Sequence, residues 1–274
     1  MTSPLQLFMP AIDLARLKKQ AAQLADLFNR PEEFVRALHG MLDFYVNRSL
    51  REVDSVAPAS VLNTYRTPPV ILKHIETELA PLAAAKPNQA LELADHLWDE
   101  GWLEMRLLAA SLLGRIPPRE ERLLPRLTAW TQQVRDPSVR AALLTTSLVR
   151  LRRETPDQFL LLVSEWLNPE RQRMWSNGIQ ALLPLIQDPD FHNLPPVFEM
   201  LTDVVEAAPG TLQADFVDLF QALHRVSPTE TTYFLRQVIT NSPTPITATT
   251  FRRISPSLPR ALAEAVRDLV KSRK

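Results

Sequence analysis

Trp102-Leu103-Glu104-Met105-Arg106-Leu107-Leu108-Ala109-Ala110 is one of five segments of similar character that decide the fold of this chain. The others run Val139-Arg140-Ala141-Ala142-Leu143-Leu144, then Trp175-Ser176-Asn177-Gly178-Ile179-Gln180-Ala181-Leu182-Leu183, then Phe216-Val217-Asp218-Leu219-Phe220-Gln221-Ala222-Leu223. The fifth, around Phe251-Arg252-Arg253-Ile254, is short and weak. The five helices begin near Trp102, Pro137, Glu170, Gln213 and Ala248, a spacing of roughly 35 to 40 residues, and a partner helix precedes each.

A helix pair repeating at that interval predicts an all-α fold, an α-solenoid of HEAT-like repeats. Such a fold offers a long curved surface rather than a deep pocket. Working outward, pairs are expected at 87–99 with 102–116, 119–133 with 137–153, 156–167 with 169–187, 196–207 with 211–226, and 228–240 with 247–255. A helix over 258–272 caps the array. Residues 1–86 form N-terminal helices leading into it: 11–29, then Pro31 to about Asn47, then Thr67-Pro68-Pro69 to about Ala84. Arg51 to Thr67 lacks an apolar stripe and reads as a loop, with one short helix as the alternative. Residues 87–274 are the repeats, and the whole is one continuous solenoid domain. Sustained strand-like alternation is absent.

The 24 prolines support the helices rather than oppose them. Thr155-Pro156, Ser227-Pro228, Asn168-Pro169 and Asp136-Pro137 each set a capping residue before Pro. Proline suits the first helical position, where its missing N–H would have no partner. Ser227 with Glu230 fits a capping box. Only 5 glycines argue against Gly-rich phosphate loops and against a β-rich fold.

No cysteine is present, so disulfides, thiolate nucleophiles and Cys-ligated zinc are excluded. The first ten residues do not read as a secretory signal, and no apolar run spans a membrane. A cytoplasmic protein is expected. Net charge is +0, yet residues 106–173 hold 12 Lys/Arg against 7 Asp/Glu, while residues 1–105 hold 10 against 14. The middle third is the basic part, suited to phosphates.

Neither cofactor nor metal is expected. The five histidines lack metal-ligand spacing, and GxSxG, Walker A, GxGxxG and HExxH are absent. Asp95, Asp99, Glu100 and Glu104 read as a solvated helix-to-helix turn. All five tryptophans lie between Trp98 and Trp175, interleaved with arginines. Aromatic faces beside guanidinium groups suit base stacking and phosphate pairing. The candidate nucleic-acid contacts are Arg106, Trp130, Arg135, Arg140, Arg150, Arg171, Arg173 and Trp175. Trp98 and Trp166 end apolar runs and read as core.

Three segments resemble the DNA-alkylation-repair (AlkD-like) family of HEAT-like solenoids. They are Tyr65-Arg66-Thr67-Pro68-Pro69-Val70-Ile71-Leu72-Lys73-His74-Ile75, then Leu97-Trp98-Asp99-Glu100-Gly101-Trp102-Leu103-Glu104-Met105-Arg106-Leu107-Leu108-Ala109, then Phe216 through Ser227-Pro228 and Tyr233-Phe234-Leu235 to Arg252-Arg253-Ile254. The resemblance implies a concave basic surface holding duplex DNA. It also implies Trp and Asp contacts to a damaged nucleotide and an Arg on the backbone. Anchored on Pro156 and Trp166, the Asp position falls on Ala141 and the Arg position on Ser176. The Trp positions fall near Pro137 and Asp218, and a gapped alignment brings Trp130, Asp136 and Arg173 closer. The expected function is DNA binding related to alkylation repair, with base excision in doubt at these substituted positions. The alternative is a protein–protein scaffold with apolar anchors such as Trp175 or Phe191.

Overall fold

A computed structural model describes residues 13–46, 62–241 and 245–271. Described residues are helical and carry no β-strand, so the protein is all-α. One isolated bridge pairs Asn63 with Trp102 outside the helices. The expected loop over 51–67 lies mostly outside them; its end, 62–67, is non-helical. The chain divides into two compact units. One holds the residues up to Leu123 together with Val134–Ala142, the other Leu124–Gln133 with the residues from Leu143 onward.

In the first unit, α1 spans Leu14–Asp26, α2 Pro31–Phe44, α3 Pro69–Ala85, α4 Pro87–Asp99 and α5 Leu103–Leu113. Asp13 starts α1 by accepting from the Ala15 and Arg16 N–H groups at 3.0 and 3.1 Å. Prolines start α2, α3 and α4. Buried positions follow the helical period: Leu17, Ala21 and Leu24 in α1, and Ile71, Ile75, Leu79 and Ala83 in α3. The resulting stripes pack α3 against both α1 and α5, and α2 against α4, while α4 lies along α5.

Between these and the remaining helices come α6, Leu123–Gln133, and α7, Pro137–Thr145. The second unit continues with α8 Val149–Glu154, α9 Pro156–Leu167, α10 Trp175–Ile186, α11 Pro195–Ala207, α12 Gln213–Val226, α13 Pro228–Asn241, α14 Pro245–Ile254 and α15 Arg260–Lys271. Here too each helix packs on the next but one: α9, α11, α13 and α15 form one row, and α10, α12 and α14 another. Phe216, Phe220 and Phe251 fill the α12–α14 contact with ring centroids 5.8 to 6.4 Å apart. Gly178 lets α10 approach α9: a Cβ there would lie 2.5 Å from the Leu167 side chain. Thr247 and Thr250 of α14 donate to the Glu206 and Ala208 carbonyls at 2.6 and 2.7 Å. They satisfy acceptors that the end of α11 would leave unpaired.

The structure departs from the expected boundaries at polar side chains. The single helix expected over 137–153 is broken at 146–148, between α7 and α8. The run Thr145-Thr146-Ser147 offers hydroxyls that compete with helical hydrogen bonding. Residues 169–174 form a 3-10 turn rather than the start of α10, with Arg171 at φ −112 and ψ 42. Thr155 does not cap α9; its hydroxyl donates to the Leu151 carbonyl at 3.2 Å. The Ser227–Glu230 pair meets through the serine hydroxyl at 3.0 Å, because the Ser227 N–H is taken by the Leu223 carbonyl closing α12.

Candidate nucleic-acid interface

In the first unit, Arg106 sits on α5, half-buried. Its Nε donates to the Trp98 carbonyl at 3.0 Å, and its guanidinium lies 4.8 Å from the Trp98 ring centroid. That clamps the end of α4 to α5 and commits the cation–π face inward. Arg135 is exposed and Arg140 half-buried, one on each side of the α7 start. Asp136 caps that helix: Oδ1 accepts from the Ser138 and Val139 N–H groups at 2.9 and 3.1 Å, and the residue is 3% exposed. Its carboxylate is committed to structure.

In the second unit, Arg150 pairs with Glu154, one turn later at the end of α8. Arg171, exposed, has Nη1 3.9 Å from Glu165 Oε2. Arg173 and Arg153 are exposed. Arg152 is half-buried, 6.0 Å over the Phe159 ring, with Nη1 unpartnered. Burial, with Arg153 beside it, lowers its pKa below the usual arginine range, while Asp188 opposes the shift.

Trp130 and Trp175, expected as stacking platforms, are 7% and 2% exposed. Trp175 opens α10 on the stripe that continues through Ile179, Leu182 and Ile186, and its indole N–H donates to the Asn168 carbonyl at 3.0 Å. Both rings belong to the core, because the helical period carries them there. Trp166 and Trp98, read as core, are 0% and 7% exposed. Outside this core, a groove of about 670 Å³ runs between α6 and α9, lined by Leu124, Thr128, Gln132, Leu161, Glu165 and Arg171 among others.

One cluster escaped the sequence reading. Residues 62–68 form a strap against the α4–α5 turn. Leu103 N–H donates to the Asn63 carbonyl at 2.8 Å. Glu104, expected in a solvated turn, is 4% exposed and accepts at Oε1 from the Thr64 hydroxyl at 2.9 Å and the Arg66 N–H at 2.8 Å. Tyr65 stacks on Trp102 with centroids 4.2 Å apart. His39 of α2 lies between the Tyr65 hydroxyl, at 2.5 Å from Nδ1, and Glu100, at 3.0 Å from Nε2. A carboxylate only accepts, so Nε2 is the ring nitrogen that donates to Glu100. Burial is the main reason the Tyr65 pKa is raised; the charges of Asp43, Glu104 and Glu100 add to it. Arg66 (φ 55) and Gly101 (φ 70) take left-handed backbone to make these turns. No periodicity announces such a cluster, since it joins residues up to 61 positions apart.

A sequence profile described as DNA alkylation repair enzyme matches residues 69–213, just over half of the chain. The chain belongs to the DNA alkylation repair enzyme family. The match spans α3 to the start of α12 and includes the basic stretch 106–173; the strap residues and the third resembling segment lie outside it. Neither a curated protein nor a solved structure matches the chain. In this member of the DNA alkylation repair enzyme family, the positions that the resemblance assigns to Asp and Arg hold an exposed Ala141 and a half-buried Ser176. Neither side chain carries charge. Among the described residues no group of three or more His, Asp or Glu is placed to hold a metal. No helix among them is long and apolar enough to cross a membrane.

Proposed function

We propose that this protein acts in alkylation-damage repair by binding duplex DNA through arginines of the 106–173 stretch, without efficient base excision. The family match carries the reading: it covers the one part of the sequence with excess positive charge. The next-but-one helix packing inside each unit supports the HEAT-like reading of that part. Phosphate contacts need exposed, unspent guanidinium groups. Arg135 and Arg173 meet that requirement best among the expected contacts; Arg106 is spent on Trp98, and Arg150 and Arg171 face carboxylates. The doubt over excision rests on Ala141, Ser176 and the capping role of Asp136.

The test is binding to a labelled duplex at low and physiological salt, comparing wild type with the Arg135→Ala/Arg173→Ala double variant. Salt-sensitive binding weakened by the double variant supports the reading; no binding at low salt removes it.

A second reading, a protein scaffold, is favoured by one observation. Leu161 is 66% exposed in the α6–α9 groove. An apolar residue in a groove suits a partner helix better than a phosphate. Trp175 cannot serve as its anchor, being buried. Partner capture that survives high salt and is lost in Leu161→Asp would favour the scaffold.

A further inference from the structure

We infer that Tyr65 is a redox site: it gives an electron to an outer-sphere one-electron oxidant while its phenol proton passes to His39. The inference goes beyond the DNA-binding reading and does not rest on it.

In this step the oxidant gains one electron, the Tyr65 O–H bond breaks, and an N–H bond forms at His39 Nδ1, 2.5 Å from the phenol oxygen. Tyr65 is left a neutral radical and His39 an imidazolium. Loss of an electron makes a phenol strongly acidic, so a base already in hydrogen-bond contact lets proton and electron leave together. Neutral His39 donates from Nε2 to Glu100 at 3.0 Å, which leaves the Nδ1 lone pair to face the phenol. The imidazolium then formed lies against the Glu100 carboxylate.

The surrounding charge favours this route over an ordinary phenolate. Burial first, then Asp43, Glu104 and Glu100, raise the Tyr65 pKa. The same carboxylates that oppose a phenolate attract the positive charge left behind by a departing electron. Trp102 lies on Tyr65 with centroids 4.2 Å apart and planes 19° from parallel, so a hole formed on the indole can cross to the phenol. Both rings are half-buried, which leaves the stack open to an oxidant in solvent. The other two tyrosines have no such base. Tyr45 donates to the Gln20 amide oxygen at 2.7 Å, and an amide does not hold the proton. Tyr233 is 68% exposed on α13, without a hydrogen-bonded base among the described residues.

The experiment oxidises the full chain at about pH 8, where an ordinary imidazole is neutral. Tris(bipyridine)ruthenium(III), made by a light flash with a cobalt(III) ammine as electron acceptor, is the oxidant. Electron paramagnetic resonance on protein carrying ring-deuterated tyrosine identifies a tyrosyl radical. The expected result is a fast tyrosyl signal in wild type, Tyr45→Phe and Tyr233→Phe, lost in Tyr65→Phe. Its formation should be about 100-fold slower in His39→Gln, the low end of what a positioned base contributes. It should also be slower in deuterium oxide, a comparison on wild type that stands even if His39→Gln does not fold. A radical that stays on tryptophan or survives Tyr65→Phe overturns the inference. Equal rates in folded His39→Gln, or in the two solvents, overturn it as well.

Discussion

Two first turns of comparable helices meet opposite fates. At the start of α5, Glu104 turns inward and is held by the strap at Thr64 and Arg66. At the start of α10, Trp175 turns inward, and the charged residues just before it, Arg171 and Arg173, stay in solvent. The first arrangement holds a carboxylate inside by giving it donors; the second sorts apolar from charged side chains by helical position alone. A buried carboxylate needs several donors for its charge, whereas a buried indole needs volume and one acceptor, which the Asn168 carbonyl supplies to Trp175.

The largest expected effect lies on the apolar side. Trp166→Ala empties a fully buried position on α9 and should cost about 3 to 5 kcal/mol, read from the urea midpoint. A loss under 1 kcal/mol would mean the second unit is loosely packed and would break the contrast. Next comes Glu104→Ala, which takes the acceptor from the Thr64 hydroxyl and leaves the Arg66 N–H its bond to Thr64 Oγ at 3.1 Å, at a cost of about 1.5 to 3 kcal/mol. Glu104→Gln keeps an acceptor and should lose clearly less; equal losses would show that charge, not acceptance, holds the strap. Tyr65→Phe keeps the stack on Trp102 and removes the phenol's hydrogen bond to His39, for about 0.5 to 1.5 kcal/mol.

The smallest effect concerns Glu76 on α3, half-buried beside Ser111. Burial raises its pKa above the ordinary glutamate value, against the opposing hydrogen bond of Ser111 and the charges of Arg115 and Lys73. A folded pKa above the unfolded one favours the protonated form, so its contribution is full in acid and fades as pH rises through the folded value. Glu76→Gln should therefore raise Tm slightly at pH 7 and leave it unchanged near pH 4. A fall in Tm at pH 7 would show that the Ser111 bond outweighs the burial cost.

Much of the secondary structure was open to sequence reasoning, because proline and period act locally. Pro31, Pro69, Pro87, Pro137, Pro156, Pro195, Pro228 and Pro245 all begin helices. The breaks at Thr146 and Arg171 were not, since hydroxyl competition and a 3-10 turn leave the apolar stripe undisturbed. Among the candidate contacts, Arg135 and Arg173 are exposed. Trp130 and Trp175 show the limit: a tryptophan next to arginine reads alike whether its ring faces a base or a neighbouring helix.

The sequence by itself determined the all-α class, most helix starts and the family, because each rests on interactions within a few residues or on a pattern along the chain. The tertiary structure alone decided which way each aromatic and carboxylate faces. It buried Glu104 and Trp175, spent Arg106 on Trp98, and drew His39, Tyr65 and Glu100 together. Burial and pairing of such groups depend on neighbours supplied by other helices, and no local rule contains them.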